Sequence, residues 1–273
     1  MVKVNSKQLD LELLKLHSGE EFIISHNDED FYMKISLKED SNRLTVHTNG
    51  AIDYTVKTTP VYQRSTCASK IDAHSIYLDD RTLHKTTDPK FNTAWLIGTK
   101  ERHYVNDYSE IVKIIQNILN VEDQKVFYWG SSDGGTAALK LATLHKSSTA
   151  IANNPQTNIL TDTPRRRNAI FRNVFHDLSE EEAIATYYHR LTVAAFMKYH
   201  NHVPRIFYIQ NNAYEPDLTK QYNPFINELK ELELEIDHKL TVWLYHDTER
   251  GHGPLLPEKT LEYLHTIMDF KHL

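Results

Sequence analysis

Cysteine is nearly missing from this chain: Cys67 stands alone among 273 residues. One thiol cannot build an internal disulfide framework or a cysteine-based metal centre. Long hydrophobic runs are missing too, and no apolar stretch approaches the ~20 residues that span a bilayer. The opening "MVKVNSKQLDLELLKLHSGEEF" mixes charges among its apolar residues, so it does not read as a secretory signal. There is no basic surplus. The net charge is −6, whereas nucleic-acid binding asks for a concentrated basic surface. Linkers, repeats and low-complexity tracts are absent. "HEXXH" is absent, and none of the 16 histidines pairs with another at a convincing metal spacing. "HNH" at His200 to His202 runs up to Pro204 and reads as loop. These absences predict a soluble, cytoplasmic protein that needs no metal or organic cofactor, binds no nucleic acid and spans no membrane.

What is present is alternation. "EEFIIS" and "DFYMKISL", joined by the polar "HNDE", predict an antiparallel pair near the N-terminus. "RLTVHTNGA", "HSIYLDD", "KVFYWG", "STAIANNP", "RIFYIQNN" and "KLTVWLYH" follow as strands. Between and after them, Asp107 to Leu119, the segment "GGTAALKLATLH", "PFINELKEL" and Pro257 to Phe270 carry helical spacing. Strands alternating with helices predict a mostly parallel sheet covered on both faces. Such sheets hold their ligands outside the carboxyl ends of the strands.

One junction stands out. In "VFYWGSSDGGTAALKLA", Gly130-Ser131-Ser132-Asp133-Gly134 fits G-x-S-x-G between a β-run and a helix. This is the nucleophile elbow, a tight turn that lifts a serine hydroxyl clear of the sheet. Ser132 is the predicted nucleophile, Ser131 points elsewhere, and the Asp133 amide is one oxyanion donor at a helix N-terminus. The competing reading is a plain glycine-rich turn or a phosphate cradle. A Walker loop is disfavoured because no lysine follows in register.

A serine needs a base, and the base an orienting acid. His252 lies in "DTERGHGP", between the last strand and the last helix, and is the predicted base. His246, at the strand end, is its competitor and reads as structural. The acid belongs after "RIFYIQNN", where Asp217 is favoured over Glu215. Asp217 could equally cap the following helix. The second oxyanion donor is sought in the amides of Gly50 and Ala51, although Asn49-Gly50 also suits a simple turn.

The elbow, the Ser…Asp…His order and the alternation resemble the α/β-hydrolase fold. "RLTVHTNGA", "IYLDD", "AWLIGTKERHY", "FYWGSSDGGTAALKLA" and "NNPQTNI", in this order, are similar to a bacterial subgroup associated with capsule biosynthesis and accessory secretion. The resemblance covers about residue 40 to the C-terminus. It implies an α/β-hydrolase-like mostly parallel sheet flanked by helices, with N-terminal antiparallel strands, in one domain over 1–273. It also implies a helical cap insertion at about 160–203, in which Ser179 and Glu182 form a capping box. Ser132 matches the nucleophile, His252 the base, and Asp217 or Glu215 the acid, while the Gly50 region matches the oxyanion loop with Asn49-Gly50 in place of the usual "HG". Asn154, in "NNPQTNI", falls beside the site and is a candidate substrate-binding residue. Asp133 is expected to face solvent, since a charge turned inward would oppose an oxyanion.

The run "PRRRN" offers Arg165, Arg166 and Arg167 either as a solvated face or as a surface for an anionic donor or glycan phosphate. The implied activity is that of a serine esterase or acyltransferase on a bacterial surface carbohydrate or related ester, with glycan-biosynthesis proteins as partners. The alternative is a non-catalytic scaffold that keeps a relic elbow.

Overall fold

The computed structural model describes residues 1–86, 88 and 90–270. The strands are β1 (Val2–Asn5), β2 (Glu21–His26), β3 (Glu29–Ser36), β4 (Leu44–His47), β5 (His74–Leu78), β6 (Val126–Ser131), β7 (Thr149–Asn153), β8 (Arg205–Asn211) and β9 (Leu240–Tyr245). The helices are α1 (Leu11–Leu16), α2 (Tyr104–Ile118), α3 (Asp133–Leu144), α4 (Pro164–Val174), α5 (Glu180–Leu191), α6 (Val193–Tyr199), the single turn α7 (Glu215–Asp217), α8 (Asn223–Lys230) and α9 (Pro257–Asp269). Among the described residues the nine strands form one sheet in the order β1-β2-β3-β5-β4-β6-β7-β8-β9. Only the β2–β3 and β3–β5 pairings are antiparallel. From β5 through β9 every pairing is parallel, as the alternation predicts.

Both faces of the central strands are buried, so their side chains divide by alternation rather than by polarity. Val126 and Tyr128 of β6 join a core with Ile111 and Ile115 of α2, Ala138 and Leu141 of α3, and Phe225 of α8. Phe127 and Trp129 point the other way, to Leu264, Ile267 and Met268 of α9. Helix α3 is buried along almost its whole length. Its Gly134, Gly135, Ala137 and Ala138 keep it thin enough to lie against the sheet.

The segment between β7 and β8 is helical, but its core differs from a simple cap. Ile170, Phe171 and Phe175 pack with Leu83, Phe91 and Trp95 from the long connection after β5. That connection carries no periodicity in the sequence and was not foreseen as part of this layer. The helical run is broken at Thr192. Its backbone is extended there (φ −129°, ψ 147°) and its hydroxyl caps α6 through the Ala195 amide. Helix α6 then joins the main core through Val193, Phe196 and Met197. The Ser179–Glu182 capping box opens α5. β1 and α1 also lie outside the elements read from sequence.

Candidate active site

Ser132 sits where β6 meets α3, with φ 55° and ψ −124°. A non-glycine residue holds such a conformation only where its surroundings enforce it. The enforcement comes from two close approaches. A Cβ on Gly130 would lie 2.1 Å from the Gly134 carbonyl oxygen, and one on Gly134 would lie 2.7 Å from the Thr48 oxygen. No other residue type fits at these points of the turn. The amide of Asp133, first in α3, has no acceptor within its helix and is free to face an oxyanion.

His252 reaches this hydroxyl from 120 residues away. The Ser132 Oγ to His252 Nε2 distance is 2.7 Å. On the other side of the ring, Nδ1 lies 2.7 Å from Asp217 Oδ2. The tautomer that donates Nδ1–H to Asp217 leaves Nε2 to accept the serine proton. Burial disfavours the imidazolium, but the hydrogen bond and charge of Asp217, with the charge of Asp133, outweigh it and raise the His252 pKa above 6.5. Asp217 is buried at the start of the segment after β8, whereas Glu215 is exposed. His246 is exposed and bonds Asn212 through Nδ1 at 2.8 Å, away from the serine.

The histidine loop hangs from asparagines at the strand ends. Asn211 Nδ2 donates to the carbonyls of Asp247 (2.7 Å) and Gly251 (2.8 Å). Asn153 Oδ1 accepts from the Leu255 amide at 2.9 Å. Asn154 Nδ2 donates to the Gly253 carbonyl at 3.1 Å and to the Tyr245 hydroxyl at 3.0 Å, and its Oδ1 accepts from the Asn211 amide at 2.8 Å. Asn154 is fully buried. It therefore holds the loop, and the sequence expectation that it binds substrate is corrected: its polar atoms are all engaged inside the protein.

Three further expectations change. Asp133 does not face solvent; it is 1% exposed and neither carboxyl oxygen has a hydrogen-bond partner among the described residues. Burial raises its pKa and nearby Asp162 adds to this, while the charges of Arg166 and His252 work against them. Gly50 is not a free oxyanion donor, because its amide donates to Gln63 Oε1 at 3.0 Å. Gln63 Nε2 reaches the carbonyls of Gly50 and Ala51 at 3.3 Å each. That leaves Ala51 as the second amide candidate. Arg167 is turned into an ion pair with Glu180 of α5, inside the helical layer.

Arg165 and Arg166 do border the site. A cavity of about 620 Å³ is lined by His252, Asp217 and Tyr214 on one side and by Asp162, Arg165, Arg166 and Lys220 on the other. Arg166 Nη1 lies 3.7 Å from Asp162 Oδ2, and Arg165 is exposed. Ser131 points away, its Oγ accepting from Arg64 Nη2 at 2.5 Å. Sequence reasoning missed Gln63 and Arg64, which sit in an irregular segment without periodicity.

No family model matches the chain, and no curated protein matches it. Solved structures do. The capsule O-acetyltransferase of Neisseria meningitidis serogroup A superposes with a TM-score of 0.62 at 16% identity, covering 90% of this chain and 96% of that one. The S-formylglutathione hydrolase from Agrobacterium tumefaciens gives 0.55 at 14%, covering 91% of each chain. The fluorophosphonate-binding serine hydrolase F of Staphylococcus aureus gives 0.53 at 13%, covering 92% of this chain and 98% of that one. The chain has the α/β-hydrolase fold. At such identities the likeness is one of fold, and function must be argued from the site. In α/β-hydrolase terms, the Gly130–Gly134 turn lies at the carboxyl end of β6, and Asp217 and His252 lie after β8 and β9. Among the described residues no helix is long and apolar enough to cross a membrane.

Proposed function

We propose that the protein is a serine esterase or acyltransferase. Ser132 attacks an ester or thioester carbonyl, and its proton passes to His252 Nε2. Asp217 fixes the tautomer and stabilises the imidazolium. The Asp133 amide, with that of Ala51, receives the oxyanion. Collapse expels the leaving group, which takes the proton from His252, and leaves an acyl-enzyme. Water or a sugar hydroxyl then gives its proton to His252 and takes the acyl group, restoring Ser132. The observation that carries this reading is the pair of 2.7 Å contacts on either side of one imidazole. Isolated loop histidines have no reason to meet both a strained serine and a buried carboxylate.

The acceptor we favour is a carbohydrate of the bacterial surface, acting in the cytoplasm within glycan biosynthesis. The likeness to a capsule O-acetyltransferase supports this, as does a cavity whose rim carries Arg165 and Lys220. Buried Asp133 beside the oxyanion position favours the second reading, a binding protein with a relic elbow. A fluorophosphonate probe separates the two. The native protein becomes labelled and Ser132→Ala does not. An unlabelled native protein that also releases no p-nitrophenol from p-nitrophenyl acetate would reject the catalytic reading.

A further inference from the structure

A second cavity, of about 350 Å³, lies on the other side of the histidine loop. Its walls are mostly apolar, with Ile71, Leu255, Leu256, Leu261 and Leu264 among them. Its floor holds Arg64. This guanidinium is short of partners. Its one hydrogen bond among the described residues runs from Nη2 to Ser131 Oγ, Nη1 is buried with no partner, and it makes no ion pair. Arg250 also lines the cavity, but neither an aspartate nor a glutamate does. His47 adds no second positive charge, since burial and the charge of Arg64 depress its pKa to about 3, leaving it neutral. Arg64 as a whole is half-buried, but its Nη1 is sealed from solvent, and desolvating part of an unpaired charge is costly. Arg64 is also held at φ 68°, a conformation that non-glycine residues keep only where neighbours impose it.

Ser132, Asp217 and His252 do not line this cavity; it connects to them through Gln63. Gln63 lines it and grips both Gly50 and Ala51. Gly50 in turn lies against Ser132, whose Cβ is 3.9 Å from where a Gly50 Cβ would stand. Its volume equals about a dozen waters at ~30 Å³ each, room for an acyl chain of about five carbons. The missing partner is an anion, and the walls ask for an apolar chain to carry it.

We propose that this cavity is the acyl subsite and takes a short acyl chain ending in a carboxylate, seated against Arg64. The acyl role rests on the serine chemistry proposed above; the anion site does not. A planar guanidinium with free donors matches a carboxylate. Esters of dicarboxylic acids are then preferred over neutral esters of the same length.

The test compares kcat/KM for p-nitrophenyl hydrogen glutarate and p-nitrophenyl valerate. The native enzyme prefers the half-ester by about tenfold or more, on the order of one charge-assisted contact. Arg64→Gln collapses that ratio, and Arg64→Lys keeps most of it. Damage that is only structural lowers both rates and leaves the ratio. Leu256→Asp is the second variant. Leu256 is the N-cap of α9 at the cavity wall, so an aspartate there supports the helix while placing a like charge near the ligand. It also lowers the ratio, and it decides the matter should Arg64→Gln fail to fold. An equal ratio in the native enzyme and these variants, or a native preference for valerate, overturns the proposal. Calorimetry needs no turnover. Ser132→Ala binds monomethyl glutarate more tightly than methyl valerate, and adding Arg64→Gln abolishes the difference. Anion binding without any serine labelling would overturn the acyl role; no binding difference would overturn the anion site itself.

Discussion

Lys140 gives a quantitative test of how the helix behind the nucleophile is built. It lies in α3, is 0% exposed, and donates from Nζ to the Arg190 carbonyl at 2.7 Å. Its ammonium also stands 5.9 Å from the centre of the Phe196 ring. Burial, with a smaller push from Arg190, lowers its pKa from 10.5 to about 7, against a weak pull from Asp80. In the unfolded chain the lysine keeps its ordinary value. Between these two values the unfolded state holds more protons than the native one, so stability rises with pH. At ~1.36 kcal/mol per unit, and with the native group half-charged at the start, the gain from about pH 7 to about pH 9.5 is on the order of 3 kcal/mol. Lys140→Met keeps an unbranched chain of similar length and removes the titration. It also leaves the Arg190 carbonyl without its donor, at a cost of about 1–2 kcal/mol that does not depend on pH. Urea unfolding of both proteins across this range, extrapolated to water, reads the difference. The native profile should climb relative to the variant by that amount. Parallel profiles would mean that Lys140 keeps its proton through some contact not described here, and the reasoning about its burial would fail.

Three further predictions concern the site. Asp217→Asn should lower turnover of p-nitrophenyl acetate by about 10³–10⁴ through loss of the correct tautomer, whereas Glu215→Gln should change it less than about twofold. In the native enzyme the acid limb of kcat/KM should fall above the ordinary imidazole value, because His252 is raised and acts only when neutral; Asp217→Asn should move that limb to lower pH. An unmoved limb would show that another group is the base. Asn154→Ala should cost about 2–4 kcal/mol in stability, since several buried hydrogen bonds lose a partner at once. It should also slow turnover more than it weakens substrate binding, as a loosened histidine loop requires; a change confined to KM would instead restore a binding role.

The sequence made the scaffold legible where local physics fixes it. A β-run that turns helical at Gly130 and Gly134 admits few structures, because both glycines stand where a Cβ would strike backbone. The order of serine, acid and base follows from strands whose carboxyl ends share one edge. The helical layer over residues 164–191 was visible, but its partner layer was not. Leu83, Phe91 and Trp95 come from a connection with no period, and nothing local says that they cover Ile170 and Phe175. The same limit applies to Arg64 and Gln63, whose roles arise only once the loop after β4 folds back on the elbow.

Asp133 shows this limit at its sharpest. Sequence places it beside the nucleophile and electrostatics asks it to point outward, yet the fold buries it. Its surroundings explain why burial is compatible with an oxyanion. Desolvation, with the neighbouring Asp162, raises its pKa against the pull of Arg166, which weakens its preference for the charged form. Whatever charge remains also favours the imidazolium of His252, which forms in the same step. On the catalytic reading proposed above, Asp133 would therefore weigh weakly against the oxyanion and in favour of the His252 imidazolium.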